Sequence, residues 1–332
     1  MHMADALLSP AVGTTMLVAS AAAIGLSVKK ISGNNFDEKK IPLMGVMGAF
    51  IFAGQMINFT IPGTGSSGHI GGGILLAAIL GPFPALLALA SVLLIQCLFF
   101  ADGGLLAYGC NVFNMGVTSC LITYTLIYKP IIKNGVNKKN ITIASILSVI
   151  AGLQLGAFFV VLETLASGIT ELPFKTFVLL MQPIHLAIGL VEGIVTAAVL
   201  CFLHSARPEI LAAQSTGKQM SFKKVIAIFA VLALLIGGGL SLLASAFPDG
   251  LEWAIENTAG TTELEAEGPL FNAATSAVEK TAFLPDYDFK DAEGPGGTTI
   301  SGIVGSLITL AVALGVGTLI FLCKRLGHLK KV

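Results

Sequence analysis

Long apolar runs dominate this chain and decide its solvent. A helix needs roughly 17–25 largely apolar residues to cross a bilayer, and runs of that kind lie at about 8–28, 41–58, 83–100, 109–129, 141–165, 176–204, 225–247 and 300–323. A further run at 70–81, between a glycine-rich stretch and Gly81-Pro82-Phe83-Pro84, is short, and is tolerable at membrane depth only when enclosed by protein. With 55% hydrophobic and 11% charged residues over 332 positions, a water-soluble globule is excluded. The expected fold class is an all-α polytopic membrane protein with about nine transmembrane segments, seven before residue 205 and two after it.

Lysine and arginine are retained on the cytoplasmic side of short membrane loops. With the N-terminus outside, the inner loops hold every basic residue except Lys175, Lys280 and Lys290, out of 19. Omitting the short segment would reverse the later basic clusters, so the asymmetry supports both orientation and count. The chain is therefore expected in the inner (plasma) membrane as a multi-pass protein, N-terminus outside and C-terminus cytoplasmic. Three units follow: 1–205, a polar linker at 206–223 that includes Arg207-Pro208, and a two-helix unit at 224–332. The acidic stretch 248–299 then lies outside, where it is either a solvated loop or a cation-attracting field.

The five cysteines sit inside apolar runs without paired ligand spacing, which gives neither a disulfide frame nor a zinc site. No signal-peptide pattern opens the chain, and His2 is too large to favour removal of the initiator, so a free Met1 amine is expected. That amine, the backbone nitrogen of His2 and the His2 ring can form fused chelate rings of near-planar nitrogen donors. Nickel(II) and copper(II) accept such a set, whereas zinc favours a tetrahedron and calcium or magnesium favours oxygen. His69, in Gly68-His69-Ile70-Gly71-Gly72-Gly73, is placed by the topology on the same outer side and is the candidate fourth ligand. The candidate metal residues are thus Met1, His2 and His69.

Gln96, Asn111 and Asn114, together with Asp102, bracket one outer turn and are expected to hydrogen-bond to the histidine ligands rather than bind metal. His185 and Glu192, seven residues apart, share one helix face. A hydrogen bond bridging helices is the preferred reading for them, with metal or proton movement as the alternative. The glycine-rich stretch lacks the Gly-Lys-Ser/Thr ending of a phosphate loop, and no ATPase motif occurs. Any ATP dependence must come from other subunits. No catalytic residue and no cofactor are expected.

Taken together, Met1-His2, Gly68-His69, the stretch from Gln96 to Gly104 and Asn111 to Gly116 resemble the CbiM/NikM family over roughly the first 205 residues. Members of that family are substrate-capture components of cobalt and nickel energy-coupling-factor transporters. Many begin Met-His-Ile-Pro-Asp-Gly where this chain has Met3-Ala4-Asp5-Ala6, keeping Met1, His2 and Asp5. Pro248 to Trp253 and Phe283 to Phe289 resemble the PDGLE domain, related to CbiN and NikN, which is thought to help load the metal. The resemblance implies a membrane substrate-binding subunit of an ATP-driven importer of Ni2+ or Co2+. It implies an energy-coupling transmembrane subunit and ATP-binding cassette ATPases as partners, besides the metal ion and membrane lipid, and no nucleic acid. A self-sufficient secondary divalent-cation transporter is the alternative, and would need inverted repeats and a path of buried carboxylates.

Overall fold

In the computed structural model, residues 2–33, 37–38, 40–211, 219–262, 264–290 and 295–329 are described. Six helices are long and apolar enough to cross a membrane: α1 (Pro10–Gly33), α4 (Pro82–Phe100), α5 (Tyr108–Lys133), α6 (Lys138–Ser167), α7 (Phe174–Ala206) and α11 (Pro295–Leu329). The chain is a helical membrane protein. Three of the expected crossings correspond to shorter helices, α2 (Lys40–Gln55), α3 (Gly73–Leu80) and α8 (Phe222–Gly238), so length alone does not confirm the count of nine.

The eight-residue α3 nevertheless runs antiparallel to α2. Lys40 Nζ, at one end of α2, donates to the Leu80 carbonyl at 2.9 Å, and Gln55 Nε2, at the other end, donates to the Gly71 carbonyl at 3.0 Å. A lysine on the last carbonyls of α3 satisfies groups that the helix leaves open. Nearly every residue of α2 is buried, as a helix surrounded by other helices requires. The C-terminal helices α8 and α11 pack on it and on each other. Small residues permit this: a Cβ at Gly302 would fall 1.8 Å from the Gly237 carbonyl oxygen, and one at Gly305 would fall 2.0 Å from the Phe52 ring.

Between α2 and α3 the chain forms a two-stranded antiparallel hairpin, β1 (Phe59–Ile61) and β2 (Ser66–Gly68), with Phe59 opposite Gly68. The segment after α8 returns to this hairpin. Ser67 N donates to the Pro248 carbonyl at 2.8 Å, Ser245 N to the Asn58 carbonyl at 2.7 Å, and Trp253 Nε1 to the Thr64 carbonyl at 3.0 Å. It then forms α9 (Gly250–Ala259) and α10 (Pro269–Thr281), so the acidic stretch is largely folded rather than an open loop. Tyr287 stacks on Phe100 of α4 with ring centroids 5.0 Å apart.

Candidate metal centre

The amino-terminal tail turns into the protein before α1 begins. Asn111 of α5 grips its backbone twice: Met3 N donates to Asn111 Oδ1 at 2.7 Å, and Asn111 Nδ2 donates to the Met3 carbonyl at 3.2 Å. Gly104 N donates to the same carbonyl at 2.9 Å, and Ala107 N donates to Asp5 Oδ1 at 2.9 Å. The Ala101–Gly104 turn must be bare for this to fit. Gly103 adopts φ +85°, and a Cβ on Gly104 would lie 1.9 Å from Asp5 Oδ1. The Met3 side chain is fully buried, anchoring the tail.

These bonds set His2 in a buried polar chamber. Its Nδ1 lies 3.2 Å from Asp102 Oδ1 and its Nε2 lies 3.2 Å from Gln96 Oε1. The Tyr287 hydroxyl donates to the other Asp102 oxygen. His69 leaves β2 so that its ring stacks on that of His2, with centroids 5.2 Å apart and planes 16° from parallel. Its Nδ1 is 3.1 Å from the Ile70 carbonyl oxygen, and its Nε2 is 3.9 Å from Asp249 Oδ2. Burial pushes the pKa of His2 below the usual imidazole value, and that of His69 well below it. Both rings are thereby biased to the neutral form that a metal ligand must have.

Glu192 of α7 fixes the backbone just after His69, accepting from Gly71 N and Gly72 N at 2.8 Å each. Asp249 caps α9: its Oδ1 accepts from Leu251 N at 2.7 Å and Glu252 N at 3.0 Å, while Glu252 Oε2 accepts from Asp249 N at 2.9 Å. This is a reciprocal capping box, and it aims the second Asp249 oxygen at His69. A cavity of about 980 Å³ opens onto His2, His69, Asp102, Asp249, Glu252 and Asp286. Its carboxylates make the approach to the two imidazoles favourable for cations.

His2 and His69 are therefore brought together, and Gln96 reaches His2. Asn111 holds the backbone of Met3 rather than a histidine ring, and Asn114 Nδ2 donates to Glu163 at 2.7 Å, reaching neither histidine. Met1 lies outside the described residues. His185 and Glu192 do not pair with each other; Glu192 holds the loop and His185 Nδ1 bonds the Met181 carbonyl. Among the described residues no three His, Cys, Asp or Glu side chains are placed to hold a metal between them. The stacked rings explain part of this, because ring lone pairs lie in the ring planes and parallel planes do not converge. Asp249 and Tyr287 escape the sequence reading as site residues. The Asp-x-x-Glu spacing of Asp249 and Glu252, just before an apolar helix, is the one signal that foretells how Asp249 is oriented.

Fold and site together define a helical membrane protein that folds His2 and Met3, ahead of its first helix, into a buried chamber of imidazoles and carboxylates. The chain belongs to the CbiM family, described as the cobalt uptake substrate-specific transmembrane region, which matches residues 2–210; a PDGLE domain matches residues 223–322. It is 33% identical to a putative fused nickel transport protein NikMN of Archaeoglobus fulgidus, covering 94% of this chain and 96% of that protein. It is 28% identical to the fused nickel transport protein NikMN of Rhodobacter capsulatus, covering 96% and 97%. A solved structure titled as a truncated transition metal transporter superposes with a TM-score of 0.54 at 30% identity, over 62% of this chain and 99% of that one.

Proposed function

We propose that this chain is the membrane substrate-binding subunit of an ATP-driven importer of the energy-coupling-factor type for nickel or cobalt ions. The observation that carries the reading is the buried stacking of His2 against His69, beside Asp102 and Asp249. The transport names of relatives that align along nearly the whole chain support the metal class. In this reading the metal is held by the Met1 amine, the His2 backbone nitrogen, the His2 ring and His69. His2 Nδ1 is the ring nitrogen able to close a chelate with the residue's own backbone nitrogen, and it faces Asp102. The metal takes a proton's place there, while Asp102 and Gln96 orient the ring. His69 must turn out of the stack for its lone pair to join.

Residues 1–205 form the capture unit, 206–223 a cytoplasmic linker, and 224–332 the two-helix unit whose stretch 248–299 covers the chamber from outside. A separate energy-coupling subunit and ATP-binding cassette ATPases supply the inward step. Planar nitrogen donors favour nickel. Elemental analysis of protein purified from cells supplied with both metals tests this: about one nickel per chain is expected, and a protein with neither metal contradicts the reading.

A further inference from the structure

Behind the His69 loop lies a second, smaller chamber of about 20 Å³, lined by His69, His185, Glu192, Asp249 and Gly250 and otherwise largely by apolar side chains. A volume near 10–15 Å³ already admits one water, so this one holds a single water or a single bare cation. His185 is 1% exposed, and its Nε2 has no hydrogen-bond partner among the described residues. Its other nitrogen is committed. Nδ1 lies 2.8 Å from the Met181 carbonyl oxygen, which can only accept, so the ring proton sits on Nδ1 and the Nε2 lone pair is left for a ligand. A carbonyl that fixes the tautomer in this way is what orients histidine ligands in metal sites generally.

The surroundings keep space for an ion on that nitrogen. Residue 250 is glycine, and a Cβ there would come within 3.4 Å of Nε2 and 3.1 Å of Cε1. Glu192 follows His185 by seven residues, two helical turns or about 10 Å further along α7 on the same face. Its oxygens are each engaged by one backbone N–H, which leaves acceptor capacity toward the chamber. His185 bridges no helices among the described residues: its one ring bond goes to the Met181 carbonyl of its own helix, and Nε2 makes none.

We propose that this chamber is a side station for a divalent transition-metal ion exchanging with the His2–His69 site, with His185 Nε2 as its anchoring ligand and the Glu192 carboxylate as its counter-charge. The inference rests on reading the chain as a metal carrier and adds a ligand beside the first site. Weak binding suits an ion in transit, which must leave as readily as it arrives, and no closed cage of ligands surrounds this position among the described residues.

Cobalt(II) titration of the purified full chain tests the station, comparing wild type with His185→Phe, His185→Gln and His185→Cys. Wild type should take one tight equivalent and a second, weaker one. His185→Phe and His185→Gln should weaken the second at least about tenfold while leaving the first within about twofold. That unchanged first equivalent also reports that each variant is folded. His185→Cys should develop sulfur-to-cobalt charge-transfer absorption after the first equivalent, over and above any signal from the native cysteines in wild type. No new absorption at saturating cobalt, or a second equivalent unchanged in His185→Phe, overturns the station while the outer site stands. A wild-type chain that takes no cobalt at all overturns the transport reading and the station with it.

Discussion

Asn111 gives Met3 what a neighbouring strand would give it, one acceptor and one donor, and so fixes the backbone next to His2 without a sheet. Replacing it by alanine leaves a buried Met3 N–H unpaired at a cost of about 1–3 kcal/mol. Asn111→Ala is therefore expected to lower both thermal stability and metal affinity. Gln96→Leu differs, because Gln96 bonds the ring of His2 rather than the backbone of the tail. Its metal affinity should fall about 10–100-fold with little change in unfolding temperature, the usual effect of removing a group that orients a ligand. Calorimetric titration with nickel, beside a thermal unfolding curve, separates the two. Equal affinity in Gln96→Leu and wild type would remove Gln96 from the site.

Among the elements, the glycine turn after α4 is as necessary as the donors. A Cβ on Gly104 would overlap Asp5, so Gly104→Ala should push the tail out of its groove and weaken metal binding about as much as His2→Ala, with the helices intact. Far-UV circular dichroism with a metal titration checks this; wild-type binding in Gly104→Ala would contradict it. The long helices are legible in the sequence because membrane spanning imposes apolar length. The meeting of His2 and His69 is foreshadowed by the basic-residue asymmetry, which puts both on one side. The hairpin is not legible, since strands such as Ser66-Ser67-Gly68 carry no apolar alternation. Nor is the approach of Asp249, because it depends on pairing between Ser67 and Pro248, 181 residues apart, which no local pattern encodes.

Across the molecule, the C-terminal unit is built into the fold. Its helices pack on α2 and on each other, its Tyr287 stacks on Phe100, and its Asp249 stands 3.9 Å from His69. In the proposed orientation, single cysteines at positions 138 and 223 of a cysteine-free chain should resist an impermeant maleimide on intact cells, while one at exposed position 267 should react. Labelling at 138 would reverse the topology. The proposed metal site, however, stands or falls with the amino terminus as one of its ligands. Joining one residue to Met1 turns an amine with a pKa near 8 into an amide and moves histidine to the third position. The grip of Asn111 on Met3 prevents the tail from sliding to compensate. Nickel titration of a chain with one methionine inserted ahead of Met1, beside wild type and His69→Ala, tests this directly. High-affinity binding should be lost in the inserted chain as completely as in His2→Ala, with the protein still folded in the membrane; wild-type affinity in the inserted chain would contradict an amino-terminal ligand.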